Sequence, residues 1–243
     1  MVLCYAGVAM KFSVILLGAA IGAVAGCGSD SSERLPNAGA AIEKCRDAYA
    51  ALKSYQGTTE SESHIDLEAG SNSFKTKAAI KFVAPDKLRV EGDFMGSGTG
   101  TYVMVASGGK AWVSGLPAQK EATTPEMAIA GLTGVSGQSA TTIPAILLHT
   151  SWGDPFGRME GAKVTRDAVA GVDCYKLTAS DDQGTRILWI DVKTNLLVQL
   201  DDDRSLEGVG KGKTRMHTEQ RFKEVRINAA IPPDAFAPPS ESK

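Results

Sequence analysis

Histidine is scarce in this chain: there are three in 243 residues, standing apart as His64, His149 and His217. No two share metal-ligand spacing, so no metal site is expected. No Gly-x-Ser-x-Gly elbow occurs, which removes one common acyl-transfer nucleophile. Gly212-Lys213-Thr214 ends like a phosphate loop, but the position needing the first glycine is Glu207. Gly96-Ser97-Gly98-Thr99-Gly100 joins two strand-like segments rather than a strand and a helix, so it is no dinucleotide fingerprint. Asp181-Asp182 and Asp201-Asp202-Asp203 lack the spaced pattern of a calcium loop and read as solvated turns. Aromatics are only 6% and do not interleave with basic residues, so nucleic acid is not an expected partner. Charge of one sign is missing too: 26 Lys and Arg against 28 Asp and Glu leave a net of −2. Neither an enzyme nor a cofactor is expected from these residues.

A long apolar run is also lacking. Phe12 to Ala25 is apolar for fourteen residues, too few to span a bilayer. Lys11 precedes it and the small residues Ala25 and Gly26 close it, the three parts of an export signal. Met10-Lys11-Phe12 is a normal signal opening, so Met10 is the expected start. Residues 1–9 place Cys4 and apolar side chains ahead of the charge. Val24-Ala25-Gly26-Cys27 resembles a bacterial lipobox, in which the cysteine is acylated and becomes the first mature residue. The expected organisation is a signal over 1–26, a lipidated Cys27 with a polar tether over 27–39, and one domain over 40–239. Membrane attachment through acylated Cys27 is the first expected partner. Gly28 and Ser29 follow the cysteine with no aspartate between. By analogy with enterobacterial lipoproteins this favours the outer membrane, facing the periplasm, in an organism with two membranes.

About 200 residues remain, enough for one domain with its own core. Cys45 and Cys174 are left as a candidate disulfide pair in an oxidising compartment, the alternative being two buried thiols.

Ala41, Ile42, Cys45, Ala48, Tyr49 and Leu52 repeat at helical spacing and predict a helix over Ala40–Tyr55, stopped by Gly57. Strands follow. Ile65, Leu67 and Ala69 alternate with polar residues, as do Phe74 to Phe82 and Leu88 to Phe94, the period of two of strands with one wet face. Residues 102–106 and 111–114 flank Ser107-Gly108-Gly109-Lys110 as a hairpin. Thr124–Leu132 and Thr141–Trp152 read as apolar helices joined by the small-residue linker Val135–Ala140. Strands resume over 162–169, 172–179, 185–192, 195–201 and 214–227. Helix, strands, two helices, strands is an α+β order with one large antiparallel sheet.

Four stretches carry a family resemblance. They are Val83-Ala84-Pro85-Asp86-Lys87-Leu88-Arg89-Val90, Ser107-Gly108-Gly109-Lys110-Ala111-Trp112-Val113, the run from Leu188-Trp189-Ile190-Asp191 to Leu196, and the run from Asn228 to Phe236. In order and spacing they resemble the LolA/LolB-like superfamily of bacterial lipoprotein carriers and related envelope proteins, over roughly residues 40–238. The resemblance implies a strongly curved antiparallel sheet, an incomplete barrel, with helices covering its concave face. It also implies a non-enzymatic, monomeric protein whose cup binds or transfers a lipophilic ligand, a lipid or the acyl chains of a lipoprotein. A sensor or protein-interaction module on the same fold is the alternative. The family's soluble carrier is not lipidated, so Cys27 points to a stationary acceptor or sensor rather than a shuttle.

The candidate cup lining is Ile80, Phe82, Leu88, Val90 and Phe94 from one strand face, with Tyr102, Met104, Trp112 and Trp189. Ile143, Ile146 and Leu147 join from the helical cover, and a closed core is the alternative for each.

Overall fold

The computed structural model describes residues 35–68, 70–95, 100–115, 123–206 and 214–238. The lipobox, Cys27 and the start of the tether lie outside the described residues, as do Gly96–Thr99 and Glu207–Lys213.

Asn37 starts the first helix: its side chain accepts the Ala40 N–H at 2.8 Å, the N-cap role of asparagine. Helix α1 (Ala38–Ala50) buries Ala41, Cys45 and Tyr49. It ends at Ala50 rather than at Tyr55, because Ser54 and Tyr55 already pair in strand β1 (Ser54–Leu67) with Val83 and Phe82 of β2 (Gly70–Val83). Apolar spacing continued past the helix, but the sheet took those residues.

Strands β3 (Lys87–Asp93), β4 (Thr101–Ser107) and β5 (Lys110–Ser114) extend one side of the sheet. The β4–β5 turn has Gly108 and Gly109 at φ 61° and 73°, a geometry that favours glycine at both positions. The Gly108 N–H donates to Asp86 at 2.7 Å, so the glycine motif is turn chemistry. Strands β6 (Lys163–Val169), β7 (Val172–Asp181), β8 (Gly184–Asp191), β9 (Leu197–Leu206) and β10 (Thr214–Ile227) extend the other side.

All ten strands join one antiparallel sheet in the order β5-β4-β3-β2-β1-β10-β9-β8-β7-β6. Each half is a meander, and β1 pairs with β10 to join the halves at the centre. β5 and β6 stand at opposite edges, so the curved sheet is not closed into a barrel. This is the α+β architecture expected from the sequence.

Helices α2 (Pro125–Thr133) and α3 (Thr142–Leu148) cover the inner face together with α1. Thr124 caps α2 and Pro125 occupies its first turn. α3 has seven residues, too short to hold itself in water. Burial of residues 142–147 against the sheet holds it, and left-handed His149 (φ 54°) ends it well before Trp152. The central core joins Cys45 and Tyr49 of α1, Ile129 of α2 and Ile143 of α3 to Ile80, Leu88, Val90 and Met104, and to Leu177, Leu188 and Leu200 across the centre.

Candidate functional site

The inner face is apolar toward β3 and β4 and polar at its centre. Thr59, Ser61 and Ser63 of β1, Thr76 of β2, Thr218 and Gln220 of β10 and Asp202 of β9 are all buried. Alternation dictates this: Asp202 shares a face with Leu200, and Gln220 with Phe222. Several of these groups grip the α2–α3 linker. Ser61 Oγ donates to the Gly137 carbonyl at 2.6 Å and Thr76 Oγ1 to that of Ser136 at 2.7 Å. The Met95 N–H donates to the Val135 carbonyl at 2.7 Å, and Gln220 Nε2 to Gln138 Oε1 at 3.3 Å.

Between this linker, the segment after α3 and the inner face lies a cavity of about 400 Å³. Ile65, Met95, Leu200 and Met216 give it apolar wall, and Gln138, Thr141 and Thr142 give it polar atoms. Trp152 borders it and stays 54% exposed, forming a lip. A void of this size is in the range of small-ligand sites.

Arg186 and Arg204 also line the cavity. Arg186 faces Asp202 directly across the β8–β9 ladder, and its Nη2 reaches Asp202 Oδ2 at 2.7 Å. Arg204 Nη2 reaches the same oxygen at 2.5 Å. Arg158 Nη1 contacts Oδ1 at 3.1 Å, so three guanidinium groups share one fully buried carboxylate. Gly184 stands opposite Arg204 at φ 144°, where an added Cβ would lie 1.9 Å from the Asp203 carbonyl oxygen.

Arg158 also makes two bonds to Asp181, Nε–Oδ2 at 3.0 Å and Nη2–Oδ1 at 2.6 Å. That bond is the main cause holding the Asp181 carboxyl down at about 2. Burial lowers the Arg204 pKa from its ordinary value, Asp202 opposes the shift, and Arg186 and Arg158 add to it. In both Arg186 and Arg204 the Nε is buried without a hydrogen-bond partner, as is Gln220 Oε1. Asp154, a carboxylate at the cavity wall, is paired with Arg46 at 2.8 Å.

None of the residues expected to line a cup borders this cavity. Ile80, Phe82, Leu88, Val90, Tyr102, Met104, Ile143, Ile146 and Leu147 pack together in the core. Phe94 lies half-buried with its ring 5.6 Å from that of Tyr102. Ile146 alone of the helical set touches a second hollow, of about 270 Å³, with Arg46, His149 and Phe156.

Trp112 and Trp189 are placed on the opposite face. Trp189 lies across from Lys176, whose ammonium sits 5.1 Å from its ring centre, and its Nε1 donates to Asp167 at 3.2 Å. Trp112 pairs with Val105, which pairs in turn with Arg89.

Cys45 and Cys174 are two free, buried thiols rather than a bridge. Cys45 belongs to the central core, whereas Cys174 has the strand parity of Lys176 and donates to the Val172 carbonyl at 3.4 Å. Burial raises the Cys45 thiol to about 12 and the Cys174 thiol to about 11.

Asp201–Asp203, expected as a solvated turn, lie inside β9, where pairing with β8 and β10 continues through all three. Arg158, Arg186, Asp202, Arg204 and Gln138 were therefore missed as site residues. The parity of Arg186 with Leu188 and Ile190, and of Arg204 with Leu200, was the signal that could have found two of them. Among the described residues, no group of three His, Cys, Asp or Glu side chains is arranged to hold a metal ion.

No family model and no curated protein matches the chain. Solved structures are similar to it at low identity. A LolA-superfamily protein from Nitrosomonas europaea is 10% identical over 84% of this chain and 98% of its own, with a TM-score of 0.35. The lipoprotein LppX from Mycobacterium tuberculosis is 14% identical over 79% and 96%, with a TM-score of 0.39. A Pseudomonas aeruginosa MucA/MucB complex is 14% identical over 83% of this chain and 61% of the matched one, with a TM-score of 0.41. The first is described as a member of the superfamily that the sequence motifs resemble.

Proposed function

We propose that the chain is a bacterial envelope lipoprotein, anchored through acylated Cys27, that binds or transfers a lipophilic ligand beneath the helical cover of its sheet. The carrying observation is the cavity of about 400 Å³, which has apolar wall from Ile65, Met95, Leu200 and Met216 and an exposed tryptophan at its lip. Burying an acyl chain there gains about 0.8 kcal/mol per methylene, so a few carbons give useful affinity. The signal-like stretch ending at Cys27 supports the anchor, and stable attachment needs about two chains. The ligand is a lipid or the acyl chains of another lipoprotein, and the role is non-enzymatic. Gly28 and Ser29 support the outer membrane, facing the periplasm, where two membranes exist.

One observation favours a second reading. The strand face expected to line a broad cup is close-packed with the helices. A protein-interaction or sensor module needs no larger cavity than this one.

Metabolic labelling with a fatty-acid probe tests the anchor. Wild type is expected to carry label and Cys27→Ser to lose it. An unlabelled wild type, or undiminished label on the variant, contradicts it.

A further inference from the structure

Counting charge around the cavity exposes an imbalance. Arg158, Arg186 and Arg204 are three cations, and the carboxylates bound to them are Asp202 and Asp181. Asp154 does not correct this, because Arg46 already pairs with it. Asp182 acts on Arg158 as well, so the shortfall of negative charge falls on Arg186 and Arg204, which have only the shared Asp202, in a region where Arg186 is 92% buried. Guanidinium stays protonated, so the surplus cannot be shed by deprotonation. Unpaired buried charge is costly, and an unmade hydrogen bond adds to that cost. Both features coincide: the two arginines lining the cavity are the ones whose Nε has no partner.

We infer that this cavity binds the anionic group of its ligand, a carboxylate or a phosphate, through Arg186 and Arg204. The inference rests on the proposed lipid-binding role and narrows it from any lipophile to an acidic amphiphile. The anion supplies the missing negative charge beside the Arg186 and Arg204 side chains that line the cavity. Gln138 and Thr142 stand at the same cavity as further donors. The apolar part of the ligand lies against Leu200, Met216 and Trp152. Asp202 holds Arg186 and Arg204 by their Nη2 atoms, which fixes both guanidinium groups before any ligand arrives.

Isothermal titration of the full chain in a neutral maltoside detergent tests this, with octyl phosphate, octanoate, octanol and inorganic phosphate as probes. Octyl phosphate or octanoate is expected to bind at least about tenfold more tightly than octanol, the scale of one charged hydrogen bond. Arg204→Gln is expected to cost the acidic probe about tenfold and octanol much less, while Arg204→Lys keeps most of the preference. Equal affinity for acidic and neutral probes overturns the inference and leaves the lipid-binding role standing. Inorganic phosphate binding as tightly as octyl phosphate, and depending on Arg204, keeps the anion site and overturns the lipid role. Binding of no probe overturns both. The wild-type comparison decides the matter even if Arg204→Gln fails to fold.

Discussion

Asp202 is the residue on which the centre of the sheet depends most. Its carboxylate is fully buried and is held by Arg158, Arg186 and Arg204. Removing one partner from a buried ionic cluster leaves uncompensated charge and costs about 3–5 kcal/mol. Asp202→Asn is therefore expected to lower unfolding stability by about that much in urea denaturation. A loss below about 1 kcal/mol would show that the arginines relax without it. The neighbouring Asp181 gives a pH signature. Its carboxyl is held at about 2, below the ordinary 3.8, chiefly by the bond from Arg158. A depressed folded pKa stabilises fully above the unfolded value, and the contribution is lost as pH falls through the folded value. The expected window is thus pH 4 to 2. Asp181→Asn should flatten the fall of stability across that window, and an unchanged acid slope would contradict the Arg158 pairing.

At the scale of elements, the α2–α3 linker forms one wall of the cavity. Hydroxyl groups on β1 and β2 hold it to the sheet through the Gly137 and Ser136 carbonyls. Each bond contributes about 1 kcal/mol. The double variant Ser61→Ala, Thr76→Ala is expected to speed amide hydrogen exchange over residues 134–141. Unchanged protection there would show that packing alone holds the linker. Most strands were legible because Phe74 to Phe82 and Leu88 to Phe94 alternate cleanly. The first half of β1 was not, since Thr59, Ser61 and Ser63 carry its inner face with hydroxyls instead of apolar groups. β9 was cut short for the same reason: Asp202 and Arg204 turn inward to each other, and a run of acids reads as solvent-facing. The site was illegible where it was polar. Apolar parity located the core, and the cavity lies beside that core rather than in it.

Across the whole molecule, β1 and β10 place the first and last strands together at the middle of the sheet. Asn228 completes the closure: its side chain accepts the Lys53 N–H at 2.8 Å, and its own N–H donates to the Ser54 carbonyl at 2.9 Å. The two meanders are left to differ in role. One gives the helices an apolar floor; the other brings Arg186 and Arg204 to a cavity beneath the linker. A tether from Cys27 would give that cavity a short reach from a fixed membrane, which suits an acceptor better than a shuttle. The central claim is that the chain holds a lipophilic ligand, and native mass spectrometry after mild detergent extraction tests it most directly. One tightly held amphiphile per chain is the expected result. A chain free of lipid, accompanied by a stoichiometric partner protein, would contradict it.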